Sequence, residues 1–161
     1  MNVIDEAGIL AISTRLQRLS DRIRKDGFEI YKEMGIDFEP KWFPVIYVLH
    51  KKRVLSVVEI ATEIGYTHPS TITLLKELEK EKIISSKKDK TDERKRLLQL
   101  STKGQELVSK MGPAWDIITE ATADLINTQN NLMQAIIEVE EQLKLKSFIQ
   151  RALVLIKEKD Q

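Results

Sequence analysis

Residues 55–78, LSVVEIATEIGYTHPSTITLLKEL, leave the chain little conformational choice. Ser56 followed by Glu59 is a capping box, in which hydroxyl and carboxylate satisfy amide donors that the first turn of a helix leaves open. Val57, Ile60, Ala61 and Ile64 then fall on one helical face, and Gly65 can take the left-handed conformation that ends a helix without penalty. Thr67 is placed to cap a second helix with Pro69 in its first turn, and Thr71, Leu74, Leu75 and Leu78 repeat the apolar stripe. Two short helices joined by a Gly-Tyr-Thr turn make a helix-turn-helix. Its inner face is apolar, whereas Pro69, Ile72, Thr73, Lys76 and Lys80 face outward.

The run IISSKKDKTDERKRLLQLS that follows predicts strand, polar loop, strand. Ile83 and Ile84 open one arm, Leu98 and Leu100 share a face of the other, and the loop over residues 89–95 is too charged to be buried. Upstream, FEPKWFPVIYVLHKK (residues 38–52) predicts a buried helix with Pro40 and Pro44 at its start. Downstream, Ser101 can cap a helix on which Leu107, Met111, Ala114, Ile118, Ala121 and Leu125 form a stripe, with a bend expected near Pro113.

The two ends of the chain are helical in pattern. Ile9, Ile12, Leu16, Leu19, Ile23 and Ile30 step by three and four, interrupted at Asp26, as in a heptad-like stripe. After the polar break NTQNN, a final amphipathic helix is expected over residues 132–156, with Ile136, Val139 and Leu143 as its first stripe. Such stripes belong either to helices packed on their own domain or to helices shared across a dimer interface.

Composition excludes several chemistries. The 161-residue chain has no cysteine, which removes disulfides, thiolate metal sites and thiol redox switches. With His50 and His68 as its two histidines it lacks a plausible zinc ligand set, and it has no glycine-rich phosphate loop. No catalytic residues, metal or cofactor are therefore expected, and the chain is read as a non-enzyme. The absence of a signal-like or membrane-spanning apolar run predicts a cytoplasmic protein with no membrane partner. A net charge of +1 means that any nucleic-acid surface must arise from local segregation of charge.

That segregation is found in the hairpin, where Lys87, Lys88, Lys90, Arg94, Lys95 and Arg96 form the densest basic cluster of the chain. The run Asp89-Lys90-Thr91-Asp92-Glu93-Arg94, then Leu97-Leu98-Gln99-Leu100-Ser101-Thr102-Lys103-Gly104, resembles the wing and following helix cap of the MarR family of transcriptional regulators. With the helix-turn-helix the resemblance covers about residues 40–111. FEPKWFPVIYVL, THPS, AWDII and EEQLKLKSF look like the MarR-type module that some proteins fuse to a GNAT-type acetyltransferase; the chain is too short for that enzyme, which implies a stand-alone regulator. Two positions depart from the pattern: Lys82 stands where the family often has glycine, and Glu93 where it often has a first wing arginine.

The expected fold is thus mainly α with a small β-hairpin: a winged helix-turn-helix, residues 37–104, within a single MarR-like domain. Long helices at residues 1–36 and 105–161 would form a dimerisation region. In such a motif the second helix enters the major groove through its N-terminal half. His68, Ser70, Thr73 and Lys76 are placed to reach base edges or phosphates, and Ile72 to touch a thymine methyl. Lys88, Lys90, Arg94 and Arg96 of the wing would neutralise phosphates, and the resemblance points to Arg94 in particular, with Asp92 as its partner. The plain alternative for these residues is a solvated helix face, a capping role, or a surface ion pair.

The family's usual control is by an effector bound between the DNA-binding and dimer regions. Phe28, Tyr31, Phe38, Trp42 and Trp115 either line such a pocket, which would suit a small apolar or phenolic effector, or are ordinary core. The expected function is a homodimeric, sequence-specific DNA-binding regulator, a repressor on a pseudo-palindromic operator of double-stranded DNA, relieved by a small molecule. The competing reading is a winged-helix module that binds protein and not DNA.

Overall fold

The structure is a computed structural model that describes residues 2–88 and 95–159. The chain divides into two compact units, Met1–Asp116 and Ile117–Gln161.

The first unit begins with α1 (Val3–Glu6), capped by the Asn2 side chain, a 3-10 turn at Gly8–Ala11, and α2 (Ile12–Glu33). The long helix therefore starts at Ile12, so the stripe expected from Ile9 opens in a 3-10 turn with Ile9 and Leu10 exposed. A 3-10 turn at Pro40–Trp42 leads into α3 (Phe43–Lys52), and Pro44 occupies the first turn, where its missing N–H costs no hydrogen bond. Val45, Ile46 and Leu49 of α3 are buried, as expected.

Next come β1 (Val54–Ser56), α4 (Val57–Ile64) and α5 (His68–Lys80). Both halves of the Ser56–Glu59 capping box form, Gly65 closes α4 in the left-handed region, and Thr67 caps α5. The wing strands are β2 (Ile84–Lys88) and β3 (Arg96–Leu100), antiparallel with Ile84 opposite Leu100 and Lys88 opposite Arg96. The sequence predicts a two-stranded hairpin; the sheet has three strands in the order β1-β3-β2, because β1 pairs with the other edge of β3, Leu55 opposite Leu98. A strand of three residues carries no readable alternation of its own.

The Ser101 hydroxyl accepts from the Gly104 amide and starts α6 (Thr102–Leu125), which contains Pro113. The buried face of α6 is Gly104, Val108, Met111 and Ala114, so Val108 and not Leu107 is the inward residue of the second turn. Val108, Met111 and Ala114 belong to the buried apolar core together with Leu74, Leu75 and Leu78 of α5 and the wing's Ile83, Ile84, Leu98 and Leu100. Burial of each such side chain contributes on the order of 1.5–3 kcal/mol.

In the second unit, the expected helix over residues 132–156 is two helices, α7 (Leu132–Leu145) and α8 (Phe148–Lys159). Lys146 is extended between them, and Ser147 with Gln150 makes a fresh capping box: the Ser147 amide donates to the Gln150 side chain, and the Gln150 amide to the Ser147 hydroxyl. Arg151 secures the break by donating to the carbonyl of Lys146 and to that of Gln142, which also accepts the Lys146 amide. No residue of α7 or α8 is buried.

Candidate nucleic-acid interface

The outward side of α5 is built by local chemistry. The Thr67 hydroxyl receives the Ser70 amide and donates to the Ser70 hydroxyl at 2.9 Å, which fixes the first turn. Thr71 is fully buried and donates to the Thr67 carbonyl, so the polar atom at an inward position is satisfied within the helix. His68, Ser70, Thr73 and Lys76 are exposed and Ile72 half-buried; the first four in sequence lie in the N-terminal half of α5, and Lys76 lies just past its midpoint. Thr73 donates to the Pro69 carbonyl at 3.1 Å, which leaves its oxygen outward as an acceptor.

Beside this helix stands the wing. Lys87, Lys88 and Lys95 are exposed. Lys90 and Arg94, together with Asp92 and Glu93, lie outside the described residues. Arg96 is exposed too, but its guanidinium is bonded to the Glu79 carboxylate of α5.

Just beyond the end of α5, Lys82 has φ 58° where the family pattern favours glycine. The Ile83 amide donates to the Leu78 carbonyl and the Lys82 amide to Glu79, the closing pattern of a left-handed helix cap. The change to lysine has thus not altered how the helix ends. Hydrogen bonds hold the corner in spite of the Cβ: Ser101 Oγ donates to the carbonyls of Lys82 (2.6 Å) and Ile83 (3.0 Å), and Lys103 Nζ to that of Glu81.

The ring contacts fall into two sets, joined by Tyr31 and Trp115. Tyr31 and Phe38 meet edge to face at 4.6 Å, and Phe38 meets Trp42 at 6.1 Å. Trp115 packs against Phe43, Tyr47 and His50. Burial pushes the Tyr31 hydroxyl above the usual tyrosine value, against a hydrogen bond with Trp115 that lowers it. A cleft of about 230 Å³ is lined by Phe28, Lys32, Gly35, Ile36, Asp37 and Phe38. Of the five aromatics expected at an effector pocket, Phe28 and Phe38 line this cleft; Tyr31, Trp42 and Trp115 lie in the ring clusters.

Two residues of α5 that carry no signal in the sequence organise its surroundings. Glu77 accepts from Trp42 Nε1 at 3.1 Å and pairs with Lys41 at 2.8 Å. These hydrogen bonds hold its carboxyl below the usual glutamate range, and the same pairing holds Lys41 above the usual lysine value. Glu79 is the partner of Arg96. Neither pairing follows from sequence spacing. Among the described residues no group of acids and histidines is arranged to hold a metal ion, and no helix is long and apolar enough to cross a membrane.

No protein-family model matches the chain, and no curated protein does. Solved structures do. MepR of S. aureus, in complex with DNA, matches with a TM-score of 0.67 at 19% identity, over 82% of this chain and 96% of that one. M. tuberculosis MOSR, also in complex with DNA, gives a TM-score of 0.69 at 14% identity, over 83% and 96%. Bordetella bronchiseptica BpsR, whose DNA binding is regulated by 6-hydroxynicotinic acid, gives 0.58 at 20% identity, over 81% and 98%. The fold is that of winged-helix transcriptional regulators. More narrowly, these structural neighbours are MarR-family regulators, and the chain shares their fold.

Proposed function

We propose that the protein is a MarR-type transcriptional regulator that binds double-stranded DNA as a homodimer and responds to a small molecule. The observation that carries this reading is the exposed face of α5, with His68, Ser70, Thr73 and Lys76 outward, beside a wing whose described lysines are all exposed. In this reading α5 enters the major groove, its side chains meet base edges, and Lys88, Lys90 and Arg94 neutralise phosphates. Neighbours with this fold crystallised on DNA support it.

Dimerisation is supported by apolar surface that a monomer leaves wet. Leu16, Leu19 and Ile23 of α2 are 48%, 40% and 38% exposed, and α7 and α8 expose Ile136, Val139, Leu143, Leu153 and Ile156 among others. Residues 1–36 and 105–161 are the proposed dimerisation region.

The cleft at Phe28, Lys32 and Phe38 is the proposed effector site. Its lining by Phe28, Ile36 and Phe38, with Lys32 and Asp37 as polar groups, suits a small apolar or phenolic molecule. Phe38 also belongs to the ring chain that ends at Trp42, which bonds to α5, so occupancy of the cleft bears on the recognition helix. Release of a repressor from a pseudo-palindromic operator is the mode of control this arrangement serves.

A mobility shift with genomic fragments, the protein's own promoter region included, tests the reading. Retardation of a discrete fragment that survives excess competitor DNA is expected. Failure to retard any fragment, with capture of a protein partner through α5 instead, would replace it with a winged-helix module for protein contacts.

A further inference from the structure

Arg96 belongs to the most basic stretch of the chain, yet its guanidinium turns to α5 and bonds to Glu79. Glu79, whose side chain is 23% exposed, lies near the end of α5; Arg96 opens β3 opposite Lys88. The backbone fastens the hairpin at its root, where the Ser101 amide donates to the Ile83 carbonyl at 2.9 Å. Arg96 is four residues farther out along β3 than Leu100, roughly 13 Å at strand rise. β1 holds β3 from Gln99 out to Leu97, where Ser56 stands opposite, and its pairing stops one residue short of Arg96. Among the described residues the tie to Glu79 is the outermost hold between β3 and α5, and it opposes a pivot of the outer hairpin against the helix. The pair is also neutral as a unit, so a phosphate approaching Arg96 gains little unless Glu79 is abandoned, and an abandoned Glu79 would repel it.

We propose that Arg96 is a positioning residue that acts through Glu79 to set the angle of the wing to the recognition helix, and that it does not itself neutralise a phosphate of bound DNA. The part concerning DNA rests on the DNA-binding reading above; the part concerning the wing does not.

Arg96→Ala, Glu79→Gln, their combination and the charge-exchanged pair Glu79→Arg with Arg96→Glu test it in the full chain. In the free protein, amide hydrogen exchange in β2 and β3 should quicken several-fold in each single variant and no further in the combination, and the exchanged pair should restore it. The DNA probe is a duplex that the parent protein selects from a random pool. Each single variant should bind it several-fold more weakly, the combination no worse than either, with the slope of log affinity against log salt unchanged. A slope reduced by about 0.9 in Arg96→Ala marks a direct phosphate contact and overturns the proposal. Tighter binding by Glu79→Gln, which would mean that Arg96 had been withheld from the DNA, overturns it as well, as does unchanged exchange in the folded variants. A parent that selects no duplex defeats the DNA-binding reading, and exchange alone then decides whether the tie sets the wing. Should a single variant fail to fold, the exchanged pair carries the test: exchange and affinity that stay unlike the parent's overturn the proposal.

Discussion

The indole N–H of Trp42 donates to the Glu77 carboxylate at 3.1 Å, and Lys41, one residue earlier, reaches the same oxygen at 2.8 Å. Two consecutive residues of the 3-10 turn before α3 therefore grip one carboxylate of α5. Phe38 stands edge-on to the same indole and lines the cleft, so one ring joins the cleft to the grip.

The grip has a predictable pH dependence. Because the folded protein holds the Glu77 carboxyl below its ordinary value of about 4.3, the unfolded chain binds more protons as the pH falls. The stabilisation is present above that ordinary value and is lost as pH falls through the lower folded value. Comparing melting temperatures of the parent and Glu77→Gln, the gap should be level above about pH 5 and should close on further acidification. A gap that widens toward acid would contradict this assignment.

Gly104 carries a different kind of constraint. A Cβ at this position would overlap the Ile83 carbonyl oxygen, a backbone atom already fixed by the Ser101 amide and hydroxyl. Gly104→Ala should destabilise the protein by about 3 kcal/mol, at or above the usual range for overpacking, although alanine favours helices elsewhere. Denaturant unfolding measures it.

Lys82 should respond in the opposite sense. Its φ of 58° costs a lysine roughly 1–2 kcal/mol, of which glycine's greater freedom in the unfolded chain returns a part. Lys82→Gly is expected to raise stability by about 0.5–1 kcal/mol, read as a higher denaturant midpoint at unchanged slope.

On α5, stability and binding should come apart. Leu75 is 2% exposed, and Leu75→Ala should cost about 2–5 kcal/mol of folding stability. Thr73→Ala and Lys76→Ala, at exposed positions, should leave the melt within about 0.5 kcal/mol and weaken DNA binding. Equal thermal losses in all three would mean that the face of α5 is misassigned.

For the dimer, light scattering at micromolar concentration should give twice the 18.6 kDa of one chain. A two-fold assembly should require two half-sites about one helical turn, on the order of 10 base pairs, apart. A monomeric mass with full affinity for an isolated half-site would exclude it.

Features set by neighbours in sequence were legible before the structure. Ser56 with Glu59, Gly65, and Thr67 with Pro69 place α4 and α5 because each motif satisfies backbone groups within one turn. The same signal stands at Ser147 and Gln150, but the apolar stripe running across it gave the appearance of one helix. Tertiary pairings left no such trace. β1 exists because β3 has an open edge, Glu79 meets Arg96 across the wing, and Lys82 is held in a conformation its own side chain disfavours. Of the site, spacing showed which residues of α5 face outward, and resemblance pointed to the wing; neither could show that Arg96 is committed to a carboxylate.

The corner where α5, the wing and α6 meet also bears on the order in which the chain assembles. Every contact that defines it, from the Leu78 carbonyl through Ile83 to Ser101 and Gly104, lies within one short continuous stretch of sequence. Local closures cost little loop entropy, so this stretch can organise as soon as it leaves the ribosome. The pairing of Val54 with Gln99 spans the whole helix-turn-helix and must wait until that stretch is complete. The third strand thus closes over a corner whose own bonds do not depend on it.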